Sequence, residues 1–313
     1  MRVVFMGTPA FAVPCLDVLL DAGHQVLGVV TQPDRPQGRG RQQAYSAVKT
    51  AALQAGLNVL QPYRVKDPEF IEKIRSLAPE LIVVVAYGQV LPPDILTLPP
   101  LGCINVHASL LPKYRGAAPI HWVVINGEEK TGVTTMYMDA GLDTGDMLLK
   151  REIAIGAEET VGSVHDRLAG LGSRLLIETL AGLSAGTLRR LPQDNTHSTY
   201  APMLTREHER IVWQNPAAQV HNQVRGMNPW PGAYTVYNNK LVKVWETEIV
   251  STPFIWQDVQ VGTVVNVDKH LGFTVQTGNG QLLVKSVQPQ GSKKMPAAAF
   301  ARGYGLKAGD KLN

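Results

Sequence analysis

A doubly wound, mostly parallel α/β sheet followed by a smaller C-terminal antiparallel β-barrel of the oligonucleotide-binding (OB-like) type is the fold class that this sequence predicts. Three observations carry that expectation. Short β-branched apolar runs alternate with longer helical patterns over residues 1–189; residues 190–206 show no clear periodicity and include Pro192 and Pro202; residues 207–313 change to short strands joined by turn formers. A chain of 313 residues also exceeds the usual span of one core. The expected division is a sheet domain over 1–189, a linker over 190–206 and a barrel domain over 207–313.

The runs 3–6, 26–30, 81–86 and 103–106 are apolar without alternation, the pattern of strands buried on both faces. After the first of them, Gly7-Thr8-Pro9-Ala10-Phe11 holds one glycine where a dinucleotide fold carries Gly-x-Gly-x-x-Gly and a P-loop adds Gly-Lys-Ser/Thr. Neither phosphate cradle is present, which weakens a nicotinamide reading and leaves the strands' carboxyl ends as the expected ligand site. Asp67-Pro68-Glu69 starts a helix with a capping residue, a first-turn proline and an acid, and Phe70, Ile71, Ile74 and Leu77 continue its apolar face. Strands over 132–138 and 147–155 and a helix over 160–183 complete this part. Beyond the linker, a helix over 217–225 precedes two hairpins: 232–237 with 241–250 around Asn238-Asn239, and 273–277 with 282–287 around Gly278-Asn279-Gly280.

Hydrophobic residues make up 44% and charged residues 18%, enough apolar material for a sizeable core and too little charge for a disordered chain. No apolar run approaches a membrane span and Met1 leads straight into a strand, so a cytoplasmic protein with no membrane partner is expected. Cys15 and Cys103 form no Cys-x-x-Cys pair, and the histidines outside the site below lack ligand spacing, so no metal is expected. Residues 1–206 hold 19 basic and 19 acidic side chains, leaving 11 and 7 to residues 207–313. A basic domain attached to a neutral one suits a polyanionic partner.

The chemistry concentrates at Asn105 and His107. Residues i and i+2 of a strand share a face, so an amide and an imidazole stand together at the carboxyl end of the run 103–106. Downstream, 132–138 leads into Asp139-Ala-Gly-Leu-Asp143-Thr-Gly-Asp146, a glycine-rich loop able to bring the Asp143 carboxylate to the same place. These groups suit acyl transfer between nitrogens: the Asn105 amide and a protonated His107 can donate to a developing oxyanion while Asp143 holds the imidazole and helps remove the amine proton. Ser109 is an alternative nucleophile, but no Gly-x-Ser-x-Gly elbow surrounds it.

The string Asn105-Val-His107-Ala-Ser109-Leu-Leu-Pro112-Lys-Tyr-Arg-Gly116-Ala-Ala-Pro119 closely resembles the folate-dependent formyltransferases. Gly7-Thr-Pro9, Thr31–Gly40, Val84-Val-Ala-Tyr-Gly88, Gly141–Asp146, Asn228-Pro-Trp-Pro231 and Val242-Lys-Val-Trp245 extend the resemblance over the whole chain and narrow it to those acting on methionyl-tRNA. The resemblance implies a Rossmann-like catalytic domain, 10-formyltetrahydrofolate as formyl donor co-substrate, no metal, and methionyl initiator tRNA as the other partner of a monomer. It implies Asn105, His107 and Asp143 as catalytic groups, Ser109, Leu110, Leu111 and Pro112 as folate-binding elements, and a C-terminal barrel that contacts tRNA. It further implies Arg35, Arg39 and Arg41 as tRNA contacts, in a loop whose basic and glycine content suits phosphates. The chain departs from the family at Arg41-Gln-Gln-Ala-Tyr-Ser-Ala-Val-Lys49, where a lysine and a Pro-Ser-Pro-Val-Lys run are usual. Two rival readings are a formyl-folate transferase acting on a small amine, such as glycinamide ribonucleotide or an amino sugar, and a non-enzymatic RNA-binding protein.

Overall fold

The apolar runs of the first part become neighbours in one sheet in the computed structural model, which describes residues 1–37, 42–252 and 259–313. In chain order, β1 (Arg2–Gly7) leads through α1 (Val13–Asp21) to β2 (Gln25–Val30). A two-stranded ribbon, β3 (Arg35–Gln37) with β4 (Gln42–Ala44), precedes α2 (Ala47–Gln54) and the short β5 (Val59–Leu60). Then come α3 (Pro68–Leu77), β6 (Leu81–Val85), α4 (Pro93–Leu96), β7 (Cys103–His107), α5 (Pro119–Ile125), β8 (Lys130–Tyr137), β9 (Met147–Ala154) and α6 (Val161–Ser184). The sheet order is β5-β2-β1-β6-β7-β8-β9. β5, β2, β1, β6 and β7 pair in parallel, whereas β8 runs antiparallel to β7.

This is the doubly wound arrangement expected from the alternating pattern. The chain fills one side of β1 with β2 and β5 and then crosses to β6 on the other, so the crevice outside the carboxyl ends of β1 and β6 is the switch point where such sheets take ligands. Strands β6 and β7 are buried along their whole length. Gly7 serves packing here: a Cβ would lie 2.9 Å from both Ala12 Cβ and the Phe5 ring. Asp67 takes the capping position of α3 through its extended backbone, but its carboxylate accepts no capping hydrogen bond. Cys15 and Cys103 are buried, and burial pushes both thiols up to about 12.

The chain divides into two compact units whose residue sets differ from the bounds read in the sequence. Met1–Pro119, Thr131–Ile153 and His165–Ala201 form the first; Ile120–Lys130, Ala154–Val164 and Pro202–Asn313 form the second. Segments 120–130 and 154–164 join the second unit through contacts that sequence spacing does not reveal. The buried Arg225 guanidinium donates to the Gly156 and Glu159 carbonyls at 3.4 and 3.0 Å, and Trp122 Nε1 donates to the Pro202 carbonyl at 2.7 Å. The expected linker is split, 190–201 belonging to the first unit and 202–206 to the second.

Within the second unit, α7 (Arg206–Glu209) and α8 (Ala217–Gly226) precede β10 (Tyr234–Tyr237), β11 (Lys240–Ile249), β12 (Val264–Asp268), β13 (Gly272–Gln276), β14 (Gln281–Pro289), β15 (Met295–Pro296) and α9 (Ala297–Tyr304). The strands form an antiparallel sheet in the order β10-β11-β14-β13-β12, with β15 on β14. Asn238 and Asn239 both have positive φ, 48° and 58°, as a two-residue turn matched to strand twist requires. The chain end bridges the two edges: Leu312 N–H donates to the Gly262 carbonyl beside β12, and Asn313 exchanges two hydrogen bonds with Val236 of β10. Leu312 is buried against the same core that holds Trp213, Phe273 and Phe300.

Removing the last three residues uncovers both sheet edges and the Leu312 site. We predict a loss of stability on the order of 5 kcal/mol from the lost burial and hydrogen bonds. Urea unfolding followed by tryptophan emission reads it, because Trp213 lies against the tail-bonded Gly262; an unshifted midpoint would contradict the closure.

Candidate active site

Asn105 and His107 lie on the last turn of pleat in β7, and both side chains are buried although polar. β7 is flanked by β6 on one side and β8 on the other, with Asn105 in register with Val84 and Met136 and His107 opposite Thr134. Because β8 is antiparallel, it ends level with Ile104, below the two polar residues. The loop 139–146 must therefore fold back to bring a carboxylate to them. It does so with Asp143 in the left-handed region at φ 53° and with no slack: a Cβ on Gly145 would lie 2.0 Å from the Tyr137 carbonyl oxygen.

The structure brings Asn105, His107 and Asp143 together. The Asn105 amide donates to Asp143 Oδ1 at 3.4 Å, His107 Nδ1 is 3.6 Å from Asp143 Oδ2, and that oxygen accepts the Gly116 N–H at 2.8 Å. His107 Nε2 is 2.9 Å from the Tyr114 carbonyl. A carbonyl can only accept, so this contact assigns a hydrogen to Nε2. That refines the sequence expectation: Nε2–H is committed to the backbone, and the nitrogen facing the carboxylate is Nδ1, which pairs with it as an ion pair when the ring is doubly protonated.

Beyond β7 the chain is fastened at each step. Ser109 is fully buried; its hydroxyl donates to the Lys113 carbonyl at 2.7 Å, and its carbonyl accepts the Thr134 hydroxyl at 2.7 Å. The Thr134 hydroxyl oxygen also accepts Leu111 N–H at 3.2 Å, and Lys150 Nζ donates to the Leu111 carbonyl at 3.1 Å. Leu111 is buried, while Leu110 and Pro112 are half-buried. With its proton engaged, Ser109 is poorly placed to act as a nucleophile.

At the β1/β6 crevice, Thr8 Oγ1 and Gln32 Nε2 both donate to the Tyr87 carbonyl, at 2.9 and 3.2 Å, and Gln89 Oε1 accepts Val65 N–H at 2.8 Å. The loops after β1, β2, β5 and β6 are thus stitched to one another at this crevice. The Tyr87 ring is buried beside it, and its phenol is pushed up to about 12 by that burial.

Of the three arginines expected to contact nucleic acid, Arg35 is exposed on β3, and Arg39 and Arg41 lie outside the described residues. The base of their ribbon is clamped. Lys49 Nζ lies 2.6 Å from Asp34 Oδ2, Gln61 Nε2 donates to Asp34 Oδ1 at 2.8 Å, and the Thr31 and Ser46 hydroxyls share a hydrogen bond of 2.7 Å. Hydrogen bonds from Lys49 and then Gln61 hold the Asp34 carboxyl below the usual carboxylate range. Above the clamp, Gln42–Ala44 pairs antiparallel with Arg35–Gln37.

Sequence reasoning missed Tyr114, Arg115 and Gly116 as site-forming residues and read 190–201 as a connector. In fact Tyr114 N–H donates to Thr199 Oγ1, Arg115 exchanges backbone hydrogen bonds with Thr199 and Ala201, and the buried Arg115 guanidinium reaches Gln193 and Asn195. The available signal was an arginine set in the stretch 110–120, where Lys113 is the one other charged residue.

Residues 1–180 match the family model described as formyl transferase, and residues 203–305 match the one described as formyl transferase, C-terminal domain. The chain is 55% identical over 312 residues to a methionyl-tRNA formyltransferase of Desulforamulus reducens, covering 100% of this chain and 98% of that protein. It is 51% identical over 312 residues to the methionyl-tRNA formyltransferase of Ruminiclostridium cellulolyticum, covering 100% and 99%. Among solved structures, HypX from Aquifex aeolicus in complex with tetrahydrofolic acid superposes with a TM-score of 0.65 at 17% identity; the match covers 96% of this chain and 47% of that one, which at this identity speaks to fold alone.

The Asp34 clamp makes a prediction about pH. Its carboxyl is depressed in the folded state, so the clamp's contribution is complete above the ordinary carboxylate value of about 4 and fades as pH falls through Asp34's own lower value. Carbon-detected NMR titration of Asp34 should give a midpoint below that ordinary value, and Lys49→Ala should raise it.

Proposed function

The chain belongs to the formyl transferase family, and we propose on that premise that it transfers the formyl group of 10-formyltetrahydrofolate to the free amino group of methionyl initiator tRNA. The observation that carries this reading is the meeting of amide, imidazole and carboxylate at the end of β7 in a chain that matches methionyl-tRNA formyltransferases over its full length. The formyl carbon must become tetrahedral as the methionyl nitrogen adds to it, its oxygen taking up negative charge. The Asn105 amide donates to that oxygen, and a doubly protonated His107, its Nε2–H on the Tyr114 carbonyl and its Nδ1–H toward Asp143, lends the site positive charge. Asp143 keeps the ring oriented and receives the proton that the attacking amine loses, while the tetrahydrofolate nitrogen departs and is protonated in turn.

The remaining assignments follow the chain's layout. Ser109–Pro112 and the stitched loops at the β1/β6 crevice hold the folate, which places its formyl group beside Asn105. Arg35, Arg39 and Arg41 contact tRNA phosphates, and the basic C-terminal unit supplies further contacts. The protein acts as a monomer in the cytoplasm. An enzyme for a small amine would have no use for a basic C-terminal stretch such as residues 207–313, which hold 11 basic and 7 acidic side chains against 19 of each in residues 1–206.

Incubation of the purified chain with 10-formyltetrahydrofolate and charged initiator tRNA should yield formylmethionyl-tRNA. Product from glycinamide ribonucleotide or an amino sugar, with none from the tRNA, would favour the small-amine reading instead. Asn105→Ala should lower kcat by about 10²- to 10³-fold, the usual loss for one oxyanion donor. A near-normal kcat would remove Asn105 from the mechanism.

A further inference from the structure

We propose that Gln193 and Arg115 are positioning residues that hold the Asp143 backbone in its reactive placement; the inference rests on the reading of Asp143 as the catalytic carboxylate. Asp143 sits in the left-handed region, which aspartate can adopt but at less favour than the right-handed one, and a contact from outside its loop holds it there. The Gln193 amide does this. Its Nε2 spends both hydrogens on the loop, donating to the Asp143 carbonyl and to the Gly145 carbonyl, each at 2.8 Å.

The other end of the same amide is equally engaged. Gln193 Oε1 accepts from Arg115 Nε at 3.0 Å and Nη2 at 2.8 Å, a forked contact, and Arg115 Nη2 also donates to Asn195 Oδ1 at 2.9 Å. Since Arg115 can only donate and the two carbonyls can only accept, the orientation of the amide is unambiguous. The Arg115 side chain is 2% exposed, and its side-chain partners among the described residues are neutral amide oxygens. A carboxylate at 193 would compensate the buried guanidinium better, yet it would have no hydrogen for the loop carbonyls. An amide is the one group of this length that accepts from arginine and donates to the loop at once.

Arg115 also stands between the two residues that touch the site directly. Tyr114 offers its carbonyl to His107, and Gly116 offers its N–H to Asp143 Oδ2. The guanidinium therefore couples both of these to the backbone that carries Asp143. Without the clamp the carboxylate remains present but loosely placed.

Gln193→Glu in the full-length protein separates positioning from simple support, because it keeps Arg115 paired while turning the two donations to the loop into repulsion between carboxylate and carbonyl oxygens. The expected result is an unreduced thermal midpoint, unchanged KM for formyl-folate and for methionyl-tRNA, and kcat lowered by about 100-fold, the usual penalty for misplacing a reacting group. If the glutamate chain fails to fold, Gln193→Ala carries the same test, with kcat again falling while both KM values hold. An unaltered kcat, or a fall accompanied by rises in both KM values, overturns the proposal. Asp143→Asn run in parallel tells the two levels apart: turnover lost there but kept in the Gln193 variants refutes the clamp alone, whereas turnover kept in Asp143→Asn refutes the catalytic assignment beneath it.

Discussion

The contact on which the rest of the site depends is the grip on Asp143 by the Gly116 N–H and the Gln193 amide. Its carboxylate takes the Gly116 N–H, its peptide carbonyl takes the Gln193 amide, and Arg115 joins the two. The need for such a grip follows from topology. β7 is parallel to β6, so its polar end opens at the ligand side of the sheet, but β8 turns antiparallel and carries the chain away from that end. A carboxylate that follows β8 can reach Asn105 and His107 only by doubling back, through a loop where glycines leave no spare volume and one aspartate takes a left-handed conformation.

Such a loop is poorly suited to hold itself. Asp139 gathers Gly141 N–H and the Thr144 hydroxyl at one side of it, at 3.0 and 2.7 Å. The segment 190–201 secures the other side and also tethers Tyr114 and Arg115. The imidazole is held by the same arrangement, since the Tyr114 carbonyl that takes its Nε2–H sits one residue from Arg115. Amide, ring and carboxylate thus share their supports, and a change in one support reaches all three.

The part of this that the sequence made legible is the part governed by local pattern. Runs such as Leu81–Val85 and Cys103–His107 are buried on both faces and read as strands for that reason, and Asn238-Asn239 marks its hairpin by a residue type that, after glycine, readily takes positive φ. Asn105 and His107 were visible because strand periodicity puts them on one face. What stayed hidden depends on contacts across long separations. The polar stretch 190–201 looks like a connector because its partners lie about 80 positions away at Arg115, and segments 120–130 and 154–164 join the second unit through residues such as Arg225. β3, β4, β5 and β15 are too short to leave a periodic trace.

The central claim is that His107 and Asp143 work as one unit on a single reacting carbonyl, and a double-mutant cycle on kcat tests it most directly. If they act together, the chain carrying both His107→Ala and Asp143→Asn turns over about as fast as the slower single variant, because groups that function as a unit are lost only once. If the two losses multiply, the carboxylate and the imidazole serve separate steps, and the shared site described here is wrong.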